Sequence, residues 1–168
     1  MEMGLSLGSN LGDRLENLRE AVRRILAAGE AELVAKAPIY ETEPVGVKAE
    51  YAHLAFLNTA IVIVTSRPVQ DWLPILQRIE EEMGRVRGGD RNAPRPVDAD
   101  ILFAGDALID SGGLSVPHPR WAQRRFVVQP LADVRPGLVL PGQRLTVAER
   151  LDQLPADTEA VHLFAEEW

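Results

Sequence analysis

Two aspartates, Asp98 and Asp100, stand two residues apart inside the apolar stretch Val97-Asp98-Ala99-Asp100-Ile101-Leu102-Phe103, and no other segment restricts the fold as strongly. A run of this length, closed by Gly105-Asp106, reads as a buried strand. Strand side chains alternate between faces, so both carboxylates point to the same side. There they repel each other and lose hydration, so they call for a facing cation, and oxygen-only ligands suit Mg²⁺ or a similar hard ion. A solvated face or a salt-bridged pair is the competing reading of an isolated Asp-x-Asp. Just upstream, residues 84–95 carry Arg85, Arg87, Arg91 and Arg95 against the single acid Asp90, a local excess of positive charge in a chain of net charge −7. A carboxylate pair beside a Gly-rich, Arg-rich loop is equipment for handling the phosphates of a nucleotide. No G-x-x-x-x-G-K-[ST] motif occurs, so such phosphates would be held by Mg²⁺ and arginine, with Gly88-Gly89 letting the loop act as a lid.

The rest of the chain reads as an α+β frame for that strand. Met3 to Leu7 is a first strand entering the turn Gly8-Ser9-Asn10-Leu11-Gly12. The turn superficially suggests a phosphate loop, yet a tight strand-to-helix connection capped by Asp13 accounts for it. Asp13 and Glu16 form a capping-box pattern, and Leu15, Leu18, Val22, Ile25 and Leu26 then line one helical face as far as Gly29. Glu32 to Tyr40 reads as a strand interrupted at Pro38, and Thr42 to Ala52 as a loop. Phe56 to Thr65 reads as a long strand centred on Ile61-Val62-Ile63-Val64. A second helix is expected from Pro68 to Met83, kinked at Pro74 and ended by Gly84. The aspartate strand then turns through Gly105-Asp106 into a hairpin with Ala107-Leu108-Ile109. Prolines 117, 119, 130, 136 and 141 make the last third turn-rich, with one short helix at Thr146 to Leu151 capped by Thr146 and Glu149. Strand, helix, strand, strand, helix, strand is the ferredoxin-like order, an antiparallel sheet with helices packed on one face. With 168 residues and no repeat or linker, a single domain over residues 1–168 is expected.

Composition narrows the partners. Hydrophobic residues at 46% and charged residues at 26% suit a globular chain, and no apolar run approaches the ~20 residues of a membrane span. Met1-Glu2-Met3-Gly4-Leu5 lacks the basic-then-apolar order of a signal peptide. The absence of cysteine excludes disulfides and thiolate metal sites and fits the cytoplasm. The acidic balance disfavours broad nucleic-acid binding. A cytoplasmic monomer acting on small molecules, with no nucleic-acid or membrane partner, is the expectation.

Four blocks occur in order: Leu7-Gly8-Ser9-Asn10-Leu11-Gly12-Asp13, Phe56-Leu57-Asn58, Arg91-Asn92-Ala93-Pro94-Arg95-Pro96-Val97-Asp98-Ala99-Asp100-Ile101-Leu102, and Val116-Pro117-His118-Pro119-Arg120. Together they resemble the 6-hydroxymethyl-7,8-dihydropterin pyrophosphokinase family of folate synthesis. That family's pattern is a basic residue, a Gly/Ala-Pro-Arg turn, two residues, then Asp-aliphatic-Asp and two aliphatics. Two departures stand out: Ala99 between the aspartates, and Asn92 where some members have an aromatic.

The resemblance implies transfer of pyrophosphate from ATP to the hydroxymethyl group of the pterin, giving AMP and the pterin diphosphate. Asp98 and Asp100 would hold Mg²⁺, taken as two ions, while Arg85 and Arg95 neutralise charge as the bond to the α-phosphate breaks. It also implies a pterin pocket of Thr42, Val45, Phe56, Asn58 and Phe126. Phe56 and Asn58 share a strand face, and a ring beside an amide suits a flat heterocycle with a donor/acceptor edge, although core packing explains Phe56 and Phe126 as well. Nucleotide contacts are implied for Gln77 and Glu80 at the adenosine half, for His118 and Arg124 at the phosphates, and for Arg87, Arg91 and Ile101. By spacing alone, Gln77 and Glu80 are a solvated helix pair, Arg87 and Arg91 solvated loop charges, and His118 a turn residue. His53 and His162 have no companions at metal-ligand spacing. Two other classes compete. A non-catalytic binding module of the same fold would not need the carboxylate pair, and an Mg-dependent nucleotidyltransferase would release pyrophosphate rather than AMP.

Overall fold

The computed structural model describes residues 1–44, 47–86 and 88–168. In chain order its elements are β1 (Glu2–Ser9), α1 (Arg14–Gly29), β2 (Ala31–Lys36), β3 (Ile39–Thr42), β4 (Phe56–Thr65), α2 (Val69–Glu82), β5 (Asp98–Ala104), β6 (Ile109–Ser111), β7 (Leu114–Val116), α3 (Arg125–Val134), α4 (Val147–Gln153) and β8 (Val161–Ala165). The main sheet runs β5-β1-β4-β3-β8 with β2 also on β4, and its pairings are antiparallel. β2 and β3 are one strand broken at Ala37-Pro38, as Pro38 predicts. Counting them together restores the ferredoxin-like order.

Alternation sorts the sheet into two faces. Met3, Leu5, Leu7, Leu57, Ile61 and Ile63 pack with Leu18, Val22 and Ile25 of α1 and with Trp72, Leu76 and Ile79 of α2. The opposite face contributes Ala60, Leu102 and Phe103 to a second core with Trp121, Val127, Val128, Leu131 and Val147. Helices therefore cover both faces rather than one. Sequence reading missed α3 because Pro130 sits inside it, and a proline there removes an intrahelical hydrogen bond without ending the helix. A register shift between Gly4 and Leu5 of β1 leaves Leu102 as an extra residue on β5. Leu102 and Phe103 thus both reach the second core.

Three local expectations need correction. Gly29 is not the capping residue that stops α1 but its last helical residue, and Glu30 takes the left-handed conformation, φ 49°, with its N–H bonded to Leu26 O. The turn at Gly105-Asp106 does not return a strand onto β5. β6 pairs with β7 through Gly112-Gly113, whose φ angles of 62° and 80° are those of a two-residue hairpin turn, and Ala107 and Leu108 lie outside it. β8, absent from the sequence reading, adds an edge strand to β3. Other expectations hold. β4 has the bounds read from sequence, Asp13 caps α1 through Glu16 N at 3.1 Å, and Thr146 and Glu149 form the full capping box of α4. α2 continues through Pro74 to Glu82, and Gly84, φ 103°, turns the chain just beyond it. Gly84 N bonds Glu81 O and Arg85 N bonds Glu80 O, a turn that folds Arg85 back beside Glu80. Among the described residues, no helix is long and apolar enough to cross a membrane.

Candidate active site

Strand register lines up the site. Gly8 of β1 is paired on one side with Asp98 of β5 and on the other with Asn58 of β4, and Ser6 is paired with Asp100. Paired residues share a face, so Asp98, Asp100 and Asn58 all point away from α1 and α2. They open into a cleft whose far wall is His118, Arg124, Phe126 and Val127. The polar residues read from separate segments of sequence thus meet in one place.

Charge in the cleft is unevenly balanced. Arg85 Nη1 lies 2.8 Å from Asp98 Oδ1 and 2.8 Å from Glu80 Oε2, while Arg95 Nη1 is 3.7 Å from Asp98 Oδ2. Asp100 has no such partner among the described residues at hydrogen-bond distance; His118 Nε2 is 3.9 Å away, too far for one. Its carboxyl is pushed up to about 7, first by desolvation, then by the charges of Asp98 and Glu80. Desolvation also pulls Arg85 down, but Asp98 and Glu80 outweigh it and the guanidinium rises above its ordinary value. Arg95 and Arg124 are lowered, chiefly by burial, and as guanidinium groups they remain charged. Two carboxylates on one strand face, one of them with no cation at hydrogen-bond distance among the described residues, mark a place where a cation fits. No group of three or more His, Cys, Asp or Glu side chains among the described residues is set to hold a metal by itself. Two carboxylates supplemented by water and substrate oxygens is the donor set of Mg²⁺.

Glu80 is buried at 4% exposure, whereas Gln77 on the same helix is exposed, so the two are not a solvated pair. Glu80 Oε1 accepts from Ala99 N at 2.9 Å, between the two aspartates, and Oε2 holds Arg85. β5 is the edge of the sheet, and the carboxylate occupies a main-chain donor that has no neighbouring strand. Ala99 itself is buried in the first core.

His118 is held by its own N–H to Leu102 O at 2.9 Å. Arg120 N donates to its Nδ1 at 3.0 Å, so in the neutral ring the proton sits on Nε2, the nitrogen nearer Asp100. Burial and the positive charges of Arg124 and Arg120 lower its pKa to about 4, which leaves it a neutral donor at physiological pH.

At the other end of the row, Asn58 Nδ2 donates to Thr42 Oγ1 at 2.7 Å, both residues buried. A Cβ on Gly8 would stand 3.0 Å from Asn58 Oδ1 and 3.6 Å from Phe56 Cδ1. Gly8 does not have a positive φ, so space rather than conformation calls for glycine here. Phe126 lines the cleft, and Arg124 lies over its ring, 5.6 Å from the centroid.

Other expected residues fall elsewhere. Ile101 is 6% exposed with its side chain in the first core, leaving only its main chain to meet a ligand. Arg91 and Gln77 are exposed at the surface. Val45 and Arg87 lie outside the described residues. Sequence reading overlooked Ser6 and Gly8 as parts of the cleft; the strand register, which sequence does not state, is what brings them in.

A family model described as 7,8-dihydro-6-hydroxymethylpterin-pyrophosphokinase (HPPK) matches residues 4–136. The chain belongs to this family. A relative from Bacillus subtilis, the 2-amino-4-hydroxy-6-hydroxymethyldihydropteridine pyrophosphokinase, is 41% identical over 130 residues, covering 77% of this chain and 75% of that protein. The folate synthesis bifunctional protein of Arabidopsis thaliana is 43% identical over 133 residues, 79% of this chain but 27% of that protein. The chain therefore spans about a quarter of the length of the plant relative. Among solved structures, the HPPK-DHPS of Plasmodium falciparum superposes with a TM-score of 0.69 over 90% of this chain and 41% of that one. At 15% identity, that likeness speaks for the fold.

Proposed function

We propose that this chain transfers the β,γ-pyrophosphoryl unit of ATP to 6-hydroxymethyl-7,8-dihydropterin, as one pyrophosphokinase domain over residues 1–168 acting as a cytoplasmic monomer. The supporting observation is the row Asp98–Gly8–Asn58 across three strands. Its ends are two strand spacings apart, roughly 10 Å. A two-ring heterocycle fits between them, its polar edge on the amide and its hydroxymethyl group toward the carboxylates. Asp98 and Asp100 would hold Mg²⁺, which when bound neutralises the triphosphate and steers it in line with the acceptor. The pterin hydroxyl oxygen forms a bond to the β-phosphorus as the bond from that phosphorus to the α-phosphate bridging oxygen breaks, so AMP leaves and the hydroxyl proton passes to solvent or a carboxylate. Arg85 and Arg95 offset the charge gathering on the leaving phosphate, and the His118 Nε2–H and Arg124 donate to phosphate oxygens. Incubation with ATP, Mg²⁺ and the pterin should yield AMP and the pterin diphosphate in equal amounts. Release of free pyrophosphate, or no dependence on the pterin, would overturn the reading.

Two substitutions probe the pterin end. Asn58→Leu is expected to weaken pterin binding by about 1–3 kcal/mol, since the heterocycle edge and Thr42 both lose a partner in a closed pocket, with ATP affinity nearly unchanged. Separate titration of each ligand checks this; a loss confined to ATP would put Asn58 on the wrong side of the cleft. Gly8→Ala is expected to fold but to lose about tenfold or more in pterin affinity, because one methyl group occupies the floor between Asn58 and Asp98. Calorimetric titration should show the loss, and unchanged affinity would mean the ring does not pass over Gly8.

A further inference from the structure

Arg95 lies between Pro94 and Pro96, neither of which has an N–H. The tripeptide therefore offers one main-chain donor, Arg95 N, and Asn10 Oδ1 accepts from it at 2.8 Å. Asn10 N in turn donates to Arg95 O at 3.2 Å, so a single residue engages both main-chain polar groups of Arg95. Asn10 is 2% exposed, and among the described residues its Nδ2 is buried without a partner. An unpaired buried donor costs stability, and many residues at this position would avoid that cost; the Oδ1 contact is what the amide supplies in return. The turn carrying Asn10 is itself braced from α1, where Asn17 Nδ2 donates to Leu11 O at 2.8 Å and to Ser9 Oγ at 3.4 Å.

We propose that Asn10 is a positioning residue for Arg95: through the Arg95 main chain it holds the guanidinium of a loop residue in register with Asp98 on the sheet. The turn that resembles a phosphate loop thus acts on the reaction through the arginine. This rests on the assignment of Arg95 to the transfer. Outside the loop, the one ion pair of its side chain among the described residues is with a carboxylate oxygen 3.7 Å away. Its remaining contacts are to carbonyls of its own loop, Ala93 O at 3.1 Å and Arg91 O. Nothing in those self-contacts ties the loop to the sheet; Asn10 does.

The test is a double-mutant cycle on kcat and on the KM of ATP and of the pterin, using Asn10→Ala, Arg95→Ala and the pair. Asn10→Ala should lower kcat about 10- to 100-fold, the scale of a small misplacement of a reacting group, with the KM of the pterin unchanged. In the Arg95→Ala background the same change should cost less than about twofold. Asn10→Asp keeps an oxygen for Arg95 N and should recover most of the rate, and amide exchange at Arg95 should be slow in the wild type and Asn10→Asp but fast in Asn10→Ala. Should Asn10→Ala fail to fold, Asn10→Ser, whose hydroxyl is too short to span the gap, is read in the same way. Arg95→Ala with undiminished turnover overturns the assignment of Arg95 and the positioning role with it. A crippled Arg95→Ala with additive losses in the pair overturns the positioning role alone.

Discussion

Asp98→Ala and Asp100→Ala are each expected to lose measurable turnover while keeping the fold, because each removes half of the carboxylate pair that lines the cleft. The metal-free proteins should nevertheless differ. Asp98 faces Arg85 at 2.8 Å, so its loss leaves that half-buried cation with Glu80 as its one close carboxylate among the described residues and should lower the melting temperature. Asp100 lacks such a partner among the described residues, and burial beside Asp98 pushes its folded-state pKa up to about 7, well above the ordinary carboxylate range. A raised carboxyl pKa favours the fold while the group is protonated. That contribution is whole below about pH 4 and is lost as pH rises toward 7. In chelator, Asp100→Asn should therefore melt with the wild type near pH 4 and above it at pH 8. Mg²⁺ added at pH 8 should close the gap by stabilising the wild type alone. Near-normal turnover of both alanine variants at millimolar Mg²⁺ would sink the metal-site assignment, and identical melting of Asp100→Asn and wild type at pH 8 would remove the electrostatic argument.

Much of this arrangement was legible in the sequence because local signals and tertiary structure agree. The period-two alternation that put Asp98 and Asp100 on one face is a property of the strand itself. Asp13, Gly84 and the Thr146/Glu149 pair mark helix ends through hydrogen bonds made within a few residues. Where sequence reading failed, the deciding interaction was distant or a breaker residue misled. Pro130 hid α3, and with it the whole second core, although Arg125 to Leu131 is apolar enough to pack. Gly112-Gly113 carries the hairpin, while the equally turn-like Gly105-Asp106 does not. Glu80 is the instructive case. Its spacing from Gln77 indicates a shared helix face, but nothing local says that β5 is a sheet edge whose Ala99 N–H needs an acceptor. A buried carboxylate bonded to the strand between the aspartates is thus better placed to hold Arg85 and β5 than to meet an adenosine.

Arg95→Lys is expected to turn over about as slowly as Arg95→Ala, although it keeps the positive charge. The guanidinium spends its donors in different directions: Nε to Ala93 O at 3.1 Å, Nη2 to Arg91 O, and Nη1 toward Asp98 Oδ2 at 3.7 Å. With two edges anchored to its own loop, the planar fork presents its remaining nitrogen, Nη1, to Asp98 in a fixed orientation. A lysine ammonium has no plane to anchor, and its flexible stem would carry the charge to Asp98 or to solvent. If the fork meets the leaving phosphate chiefly as charge develops there, kcat should fall on the order of 10²–10³-fold with little change in MgATP affinity. Steady-state rates and equilibrium titration of both variants decide the matter. Lysine restoring most of the rate would mean that a point charge suffices and the anchored geometry is idle. Affinity collapsing while kcat holds would make Arg95 a ground-state anchor for ATP, and the arginine that acts on the transition state would then be Arg85, fixed between Glu80 and Asp98.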